Sequence, residues 1–199
     1  MISTINLSDE QLLQAFRNAP NYCDFNKVKV ANLPSVFAEE SLGIHLSPKQ
    51  VSAIDAIKEH RWVMVQSFHQ RGKTMLSAIL ATWWLLYHPE STIAITLTPT
   101  YSQTLILWQY IQQYACKLNL LTSKTRWHIA SDRFASGLSV TQLEKYPLAL
   151  QGYCAHNLLV VLDEVGTIPE AYIEMAKSLT VFGNCRIFAT NDSLLTDYV

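Results

Sequence analysis

The sequence has almost no net charge. Over 199 residues, 15 lysines and arginines are balanced by 16 aspartates and glutamates, which gives a formal net charge of −1. Bulk electrostatics therefore do not indicate a polyanionic partner, because long-range attraction to nucleic acid requires an excess of positive charge. Any contact with nucleic acid must come from a local basic patch.

Cysteine motifs are also absent. The four cysteines are dispersed, with no C-x-x-C pair and no histidine at metal-ligand spacing beside them. This pattern excludes the common cysteine-based zinc and redox motifs. We interpret the cysteines as reduced, mostly buried thiols at positions Cys23, Cys116, Cys154 and Cys185.

No apolar run in the sequence is long enough to cross a membrane. The most apolar stretch, Met75 to Tyr87, has 13 residues, whereas a membrane-spanning helix needs about 20. We therefore predict that this stretch is a buried helix. The N-terminus has no basic segment followed by an apolar run, so no secretory signal is visible. We expect a cytoplasmic protein without a membrane partner.

The length and the 49% hydrophobic content are those of a chain that buries one full core. Residues 7–18 begin with a capping-box pattern and predict a short amphipathic helix. The segment from Pro20 to Leu46 is irregular and aromatic, which predicts loops packed over the core, and a helix begins at Ser47-Pro48. We therefore divide the chain into an N-terminal appendage (residues 1–45) and a core (residues 46–199).

From Trp62 onward, strand-like and helix-like segments alternate. This alternation predicts an α/β domain in which a mainly parallel sheet carries helices on both faces. Residues 119–157 contain short polar and apolar segments, which fit one or two extra strands with connecting loops but do not define where these lie. The predicted strands are Trp62–Gln66, Thr92–Thr98, Leu158–Leu162 and Cys185–Ala189, and the predicted helices are Gly72–Tyr87, Tyr101–Leu118 and Pro169–Leu179.

The segment SFHQRGKT lies between the first predicted strand and the following helix. A phosphate-binding loop needs successive backbone N–H groups, a helix N-terminus, a lysine for the outer phosphates and a hydroxyl for Mg²⁺. The motif is degenerate at its first position, where serine replaces the usual glycine, and a helix start with an exposed lysine is the alternative. The predicted ATP-binding residues here are Ser67, Phe68, His69, Gln70, Arg71, Gly72, Lys73 and Thr74.

A second motif is the acidic pair Asp163-Glu164, which directly follows the apolar run LLVVL. The carboxyl end of a buried strand is where open α/β sheets bind ligands. Asp163 can hold Mg²⁺ through water, and Glu164 can orient or deprotonate an attacking water molecule. The alternative is a pair of solvated loop acids.

Small polar residues follow two further predicted strands. Thr98-Pro99-Thr100 ends one strand and Thr190-Asn191 ends another, at positions suited to a nucleotide sensor, although either segment also fits a simple turn. Gln50, 23 residues before Lys73, carries an amide that can read the adenine edge. An exposed helical glutamine is the alternative for Gln50.

Together these segments resemble the ATPase domain of the large terminase subunit, the motor that packages DNA into tailed-phage heads. The resemblance extends from about Leu46 to Asp192, and the 90 residues from Lys73 to Asp163 are compatible with the family's layout. Departures of the phosphate loop from the usual glycine are familiar in this family. The matching positions are Gln50, Ser67 to Thr74, Thr98-Pro99-Thr100, Asp163-Glu164 and Thr190-Asn191.

The resemblance implies a three-layer P-loop NTPase domain of the RecA-like type that uses ATP and Mg²⁺. It also implies double-stranded DNA, a portal protein and a small terminase subunit as partners, a ring of identical subunits when assembled or a monomer in isolation, and the host cytoplasm as location. The implied roles are phosphate and Mg²⁺ binding by Lys73 and Thr74, Mg²⁺ binding by Asp163, catalysis by Glu164, and coupling of hydrolysis to movement by Thr190-Asn191.

The family normally continues into an RNase-H-like nuclease domain with metal-binding acids. This sequence ends seven residues after Asp192. We therefore expect no nuclease domain. We expect an ATPase core that either is complete or lacks its last strand or its lid subdomain.

Charge on the transferred phosphoryl group is normally stabilised by an arginine, in cis or from a neighbouring subunit. Arg71 in the loop and Arg126 are candidates, with Arg133 as a third. Residues 117–133 are the most basic stretch, with a net charge of +3, and they fit either a DNA-phosphate contact or a solvated face. The basic residues of the stretch are Lys117, Lys124, Arg126 and Arg133.

Two other functions share parts of this pattern. Helicase-like translocases also use G-K-T, an acidic pair and a threonine-rich segment, but they normally need two such domains in one chain. A nucleotide-binding domain without turnover is favoured by the short length and by Ser67. The joint presence of Lys73, Thr74, Asp163 and Glu164 argues against it, because binding alone does not require a catalytic carboxylate.

Overall fold

A computed structural model describes residues 28, 30–68, 71–146, 149–150, 152–181 and 183–192. Six strands within these residues form one sheet. They are β1 (Trp62–Ser67), β2 (Thr92–Thr98), β3 (Arg126–Ala130), β4 (Arg133–Ser139), β5 (Asn157–Leu162) and β6 (Asn184–Asp192). The strand order is β1-β6-β5-β2-β4-β3, and all neighbours are parallel except β3, which pairs antiparallel with β4. The carboxyl ends of β1, β6, β5 and β2 therefore meet at one edge of the sheet.

Six α-helices flank the sheet in the described part of the chain. They are α1 (Pro34–Glu40), α2 (Pro48–Asp55), α3 (Lys73–Tyr87), α4 (Tyr101–Lys117), α5 (Val140–Leu143) and α6 (Glu170–Leu179). Local signals explain several helix starts. Ser47 and Thr100 each form a capping box with the glutamine three residues later, and Pro48 occupies the first turn of α2.

The central strands are buried on both faces. Along β5, Leu159 and Val161 pack with α1 to α4, whereas Leu158, Val160 and Leu162 pack with α5 and α6. Because successive residues of a strand point to opposite faces, a strand between two helical layers is apolar throughout. The predicted three-layer α/β architecture is confirmed.

The predicted strands and helices of the alternating region are present, with bounds that differ by three residues or fewer. The apolar run from Met75 to Tyr87 lies in α3, whose side chains are mostly buried. The helices of the described residues include none that is both long and apolar enough to span a membrane.

Three sequence-based interpretations need correction or lie outside the described residues. The segment from Pro20 to Leu46 is not wholly irregular, because residues 34–40 form α1. This helix has only about two turns, and burial of Phe37 stabilises it rather than a long periodic pattern. Residues 119–157 contain β3, β4 and α5. The helix predicted over 7–18 falls outside the described residues.

The cysteines are more exposed than expected. Cys185 is buried at the start of β6, but Cys116 and Cys154 are exposed, and all three carry free thiols. Cys23 lies outside the described residues. The prediction of mostly buried thiols is therefore wrong for two of the three described cysteines, because they fall on solvent-facing positions of α4 and of the loop before β5.

The segment before α2 packs into the same core as the rest of the sheet. Phe37 is fully buried and Leu42 is 2% exposed, and both belong to the cluster formed with α3 and α4. The indole Nε1 of Trp83 donates a hydrogen bond to the carbonyl of Ala31 at 2.9 Å. The division of the chain at residue 45 stays a prediction.

A close contact between β4 and α4 constrains one glycine. Trp108, fully buried, donates its indole N–H to Thr96 Oγ1 at 2.9 Å. A Cβ atom at Gly137 would lie 2.2 Å from Trp108 Nε1 and 2.8 Å from Thr104 Cγ2. The indole therefore occupies the space that any side chain at this position of β4 would need.

We expect Gly137→Ala to lower the free energy of unfolding by about 3 kcal/mol, the upper range for overpacking a core. Chemical denaturation measures the effect. Gly152→Ala is the matched control, because nothing lies within 4 Å of a Cβ built at Gly152. Equal denaturation midpoints for the two variants would contradict the packing described here.

Candidate nucleotide site

The predicted phosphate loop connects β1 to α3. Gly72 caps α3 with φ of 79°, a left-handed conformation that favours glycine. A Cβ atom at Gly72 would also lie 3.1 Å from Gln50 Nε2. The loop thus ends at the N-terminus of a 15-residue helix, a site suited to anions. His69 and Gln70, both predicted to bind ATP, lie outside the described residues.

Lys73 is buried at the base of the loop, with 8% of its surface exposed. Its Nζ donates to the carbonyls of Ser67 and Phe68, each at 3.0 Å, and forms a salt bridge with Asp192 at the end of β6. The alternative of an exposed lysine at a helix start is therefore wrong. The cation is held at the carboxyl edge of the sheet by acceptors from the loop and from β6.

Asp163 follows β5 and is only 5% exposed. Its carboxylate accepts hydrogen bonds from Thr74 Oγ1 at 3.0 Å and from Thr190 Oγ1 at 2.6 Å. Burial raises the pKa of Asp163, and the two hydroxyls and the charge of Lys73 oppose that shift. Asp163 is thus not a solvated loop acid, and it joins α3, β5 and β6.

Glu164 is held by contacts that sequence analysis did not identify. Its backbone has φ of 59°, and its N–H donates to Thr190 Oγ1 at 3.3 Å. Gln103 Nε2, from the first turn of α4, donates to Glu164 Oε2 at 2.7 Å. The only signal for Gln103 in the sequence is the capping-box spacing from Thr100, which predicts a helix start and not a contact with an acid.

A cleft of about 360 Å³ lies where these groups converge. One wall is apolar and comes from α3 and α4. The cleft is lined by Gly72, Lys73, Thr74, Met75, Ile106, Tyr110, Asp163, Glu164 and Asp192. The residues predicted for phosphate, Mg²⁺ and water activation therefore share one cavity.

A second, larger cavity of about 1170 Å³ runs between α2 and β1, the strand at the edge of the sheet. Its lining includes Gln50, Ser67, Phe68 and Arg71, and it shares Gly72 with the first cleft among other residues. Arg71 is exposed and lines this second cavity rather than the first. The two cavities meet at the loop and the start of α3.

Gln50 has internal hydrogen bonds on both sides of its amide. Its Oε1 accepts from the Ser47 N–H at 2.9 Å, and its Nε2 donates to the Arg71 carbonyl at 3.0 Å. These bonds attach α2 to the phosphate loop. A direct adenine contact by Gln50 stays a prediction, and it would have to use the remaining donor and acceptor positions of the amide.

The two polar segments after strands have different surroundings. Asn191 Oδ1 accepts from the Gly166 N–H at 3.1 Å, so Thr190-Asn191 contacts the turn that follows Glu164. Thr98 is fully buried, and its hydroxyl donates to the Thr100 carbonyl at 2.9 Å. Thr98 therefore stabilises the turn into α4 and does not line the cleft.

The basic residues of 117–133 are not all available to a ligand. Lys117 Nζ donates to the Leu42 carbonyl at 2.7 Å, and Arg133 donates to the carbonyls at the end of α3 at 2.8 Å. Burial lowers the pKa of Arg133. A DNA contact by Arg133 is thus not supported, because its guanidinium caps a helix. Lys124 and Arg126 are exposed.

Arg126 begins β3, the outermost strand, and four strand spacings separate β3 from β6. With strands about 4.8 Å apart, the distance across the sheet is roughly 19 Å. Arg126 is not among the residues that line the cleft, and its contact with a phosphate stays a prediction.

Two side chains of the cleft carry oxygen atoms that suit Mg²⁺. Among the described residues there is no group of three histidine, cysteine, aspartate or glutamate side chains that could hold a metal ion. Thr74 and Asp163 offer one hydroxyl and one carboxylate 3.0 Å apart. Mg²⁺ commonly binds through one or two protein oxygens, with water and phosphate oxygens as the other ligands, so these residues fit the ion.

No protein-family model and no curated protein matches the sequence. Solved structures do match. The large terminase of a thermophilic bacteriophage has a TM-score of 0.58 at 10% identity over 74% of this chain. The HK97 bacteriophage large terminase has a TM-score of 0.61 at 16% identity over 79% of this chain. The ATPase domain of the Thermus phage P74-26 large terminase has a TM-score of 0.62 at 19% identity over 82% of this chain.

The matched share of these proteins differs. The chain spans 39% of the thermophilic-phage protein and 36% of the HK97 protein, but 72% of the P74-26 ATPase domain. The thermophilic-phage terminase in complex with ADP also matches, with a TM-score of 0.53 at 11% identity over 73% of this chain and 38% of that one. The predicted resemblance is thus confirmed at the level of the fold: the chain has the P-loop NTPase fold found in phage large-terminase ATPase domains.

Proposed function

We propose that this chain is the ATPase domain of a DNA-packaging terminase large subunit, which hydrolyses ATP to drive double-stranded DNA into a procapsid. The observation that carries the proposal is the position of Asp163, held between Thr74 and Thr190 in one cleft with Lys73 and Glu164. A packing role alone would not require two acids and a buried lysine at a helix N-terminus. The same residues match those expected of a nucleotide-hydrolysing site.

The proposed roles follow from the chemistry of each group. The N–H groups at the start of α3 and the ammonium of Lys73 bind the phosphates. Thr74 and Asp163 hold Mg²⁺, partly through water, and the ion supplies neutralisation of phosphate charge when bound. Glu164 orients a water molecule and accepts its proton as the water oxygen attacks the terminal phosphorus, and ADP is the leaving group.

The nucleotide base is proposed to occupy the larger cavity beside Gln50, continuous with the loop. Thr190-Asn191 is proposed to couple hydrolysis to movement, because Thr190 contacts both acids of the cleft and Asn191 contacts the following turn. The thermophilic-phage large terminase in complex with ADP supports a nucleotide as ligand of this fold.

A ring of identical subunits is proposed for the assembled motor, with a portal protein and a small terminase subunit as partners. The lining of the smaller cleft includes one lysine and no arginine among the described residues. Arg71 lies within the loop and is the candidate in cis. Arg126 is the candidate that a neighbouring subunit would supply, because it is exposed at the far edge of the sheet.

ATP hydrolysis by the purified chain is the first test. We expect Mg²⁺-dependent turnover that Lys73→Ala abolishes through loss of nucleotide binding. Glu164→Gln is expected to lower kcat by at least about 100-fold while binding is retained, because an amide cannot accept the proton. A phosphate-release assay and a fluorescent-nucleotide titration separate the two effects.

Full activity in Glu164→Gln would overturn the assigned role, and nucleotide binding without turnover in the unmodified chain would favour a silent binding domain.

Asp192 is expected to compete with the nucleotide for Lys73. Asp192→Asn removes a negative charge next to the phosphate position, so we expect Mg²⁺-ATP to bind about tenfold more tightly, equivalent to about 1.4 kcal/mol. Isothermal titration calorimetry measures the change. Glu174→Gln is the control, because Glu174 pairs with Lys177 on the exposed face of α6. Weaker binding in Asp192→Asn would instead make Asp192 part of the ligand-binding set.

Lys124 and Arg126 are proposed to contact DNA phosphates. Replacing both with glutamate is expected to reduce the slope of log K against log salt concentration by about 2, one for each lost phosphate contact. Fluorescence anisotropy with a duplex at several salt concentrations measures the slope. Lys177→Glu, on α6, serves as the control for a change of net charge. An unchanged slope in the double variant would count against this surface.

A further inference from the structure

The amide of Gln103 bridges two parts of the candidate site. Its Nε2 donates to Glu164 Oε2 at 2.7 Å, across 61 residues of sequence. Its Oε1 accepts from the Thr100 N–H at 3.1 Å and from the Thr100 hydroxyl at 2.8 Å. Both ends of one planar group are thus engaged, so the rotamer of Gln103 is set by the N-terminus of α4.

The same geometry orients the carboxylate of Glu164. The backbone of Glu164 is already restrained, because its N–H donates to Thr190 Oγ1 and its carbonyl accepts from the Thr167 hydroxyl at 2.9 Å. Its φ of 59° is a left-handed backbone conformation, so the chain leaves the extended path of β5 at this residue. The remaining freedom lies in the side-chain torsions, and the bond from Gln103 restricts them.

The chemistry of the bond leaves one oxygen for the reaction. The amide N–H of Gln103 donates to Oε2, so this bond leaves Oε1 of Glu164, a residue that lines the cleft, to accept a proton. A general base must lie within hydrogen-bond reach of the proton that it removes. Restricting the carboxylate to one orientation lowers the entropic cost of reaching that geometry.

We infer that Gln103 is a positioning residue, which holds the carboxylate of Glu164 in the orientation that activates the attacking water. The inference rests on the proposed ATP hydrolysis. It makes the turn between β2 and α4 part of the hydrolytic site, because Gln103 hydrogen-bonds to both Thr100 and Glu164.

Gln103→Glu tests this role without removing the helix cap. Glutamate at this position still completes a capping box with Thr100, but it places a second carboxylate against Glu164. We expect kcat to fall by at least about tenfold, with the KM for ATP changed less than about twofold. We also expect the melting temperature of the nucleotide-free protein to fall by about 3 °C.

The double variant Gln103→Glu with Glu164→Gln exchanges the two groups and restores the hydrogen bond with reversed polarity. We expect its melting temperature to return to that of the unmodified chain, while turnover stays lost because the base is missing. A merely structural role of Gln103 would leave kcat of the folded single variant Gln103→Glu unchanged, so the fall in kcat at nearly constant KM is the readout that identifies positioning.

Gln142→Glu is the matched control. Gln142 completes the equivalent capping box with Ser139 at the start of α5, so the substitution has the same local effect away from the cleft, and kcat should not change. Unchanged or raised kcat in Gln103→Glu, or a melting temperature that the exchange does not restore, would overturn the inference. If the unmodified chain binds ATP without turnover, the proposed function fails, and the melting temperatures alone decide whether Gln103 holds Glu164.

Discussion

The hydrogen bonds to the carboxylate of Asp163 hold the candidate site together. Thr74 donates to one oxygen from α3, and Thr190 donates to the other from β6. Asp163 itself directly follows the buried central strand β5. A carboxylate that is 5% exposed is costly unless donors reach it. These bonds therefore constrain how α3, β5 and β6 are arranged, and that arrangement in turn brings the predicted phosphate loop beside Asp163 and Glu164.

The polar groups of the cleft are paired with one another in this structure. Lys73 is bound to the loop carbonyls and to Asp192, and Glu164 is bound to Gln103. A nucleotide that enters the cleft has to exchange some of these contacts for its own. Asp192 ends β6 two residues after Thr190, the residue that contacts both Asp163 and Glu164. A change in the contact between Lys73 and Asp192 therefore acts on the strand that carries Thr190. The proposed phosphate-binding lysine and the proposed coupling segment are thus physically connected.

The sheet order explains why residues far apart in sequence meet. Parallel strands connected by helices bring all their carboxyl ends to one edge, where side chains on the turns can converge. The loop after β1, the acids after β5 and the polar pair at the end of β6 occupy three adjacent strands. Arg126, on β3, lies at the other end of the same sheet. Its separation from the cleft is the reason for the proposal that it acts at the site of a neighbouring subunit and not at its own.

Much of the architecture could be predicted because its signals are local. A capping box, a proline in a first turn or an apolar run of five residues depends on neighbours within a few positions. The helix at 34–40 was missed because it is short and is stabilised by burial of Phe37 against distant helices. The hydrogen bonds of Lys117 and Arg133 could not be predicted for the same reason, since their acceptors, the carbonyls of Leu42, Leu85 and Leu86, are remote in sequence.

The sequence by itself determined the alternation of strands and helices and the residue types of the candidate site, because a phosphate loop and an acidic pair after a buried strand are short, contiguous patterns. Only the tertiary structure decided which side chains hold those residues. The contacts of Gln103 with Glu164 and of Asp192 with Lys73 join residues 61 and 119 positions apart. Such contacts depend on strand order and on helix placement, and no local spacing specifies either.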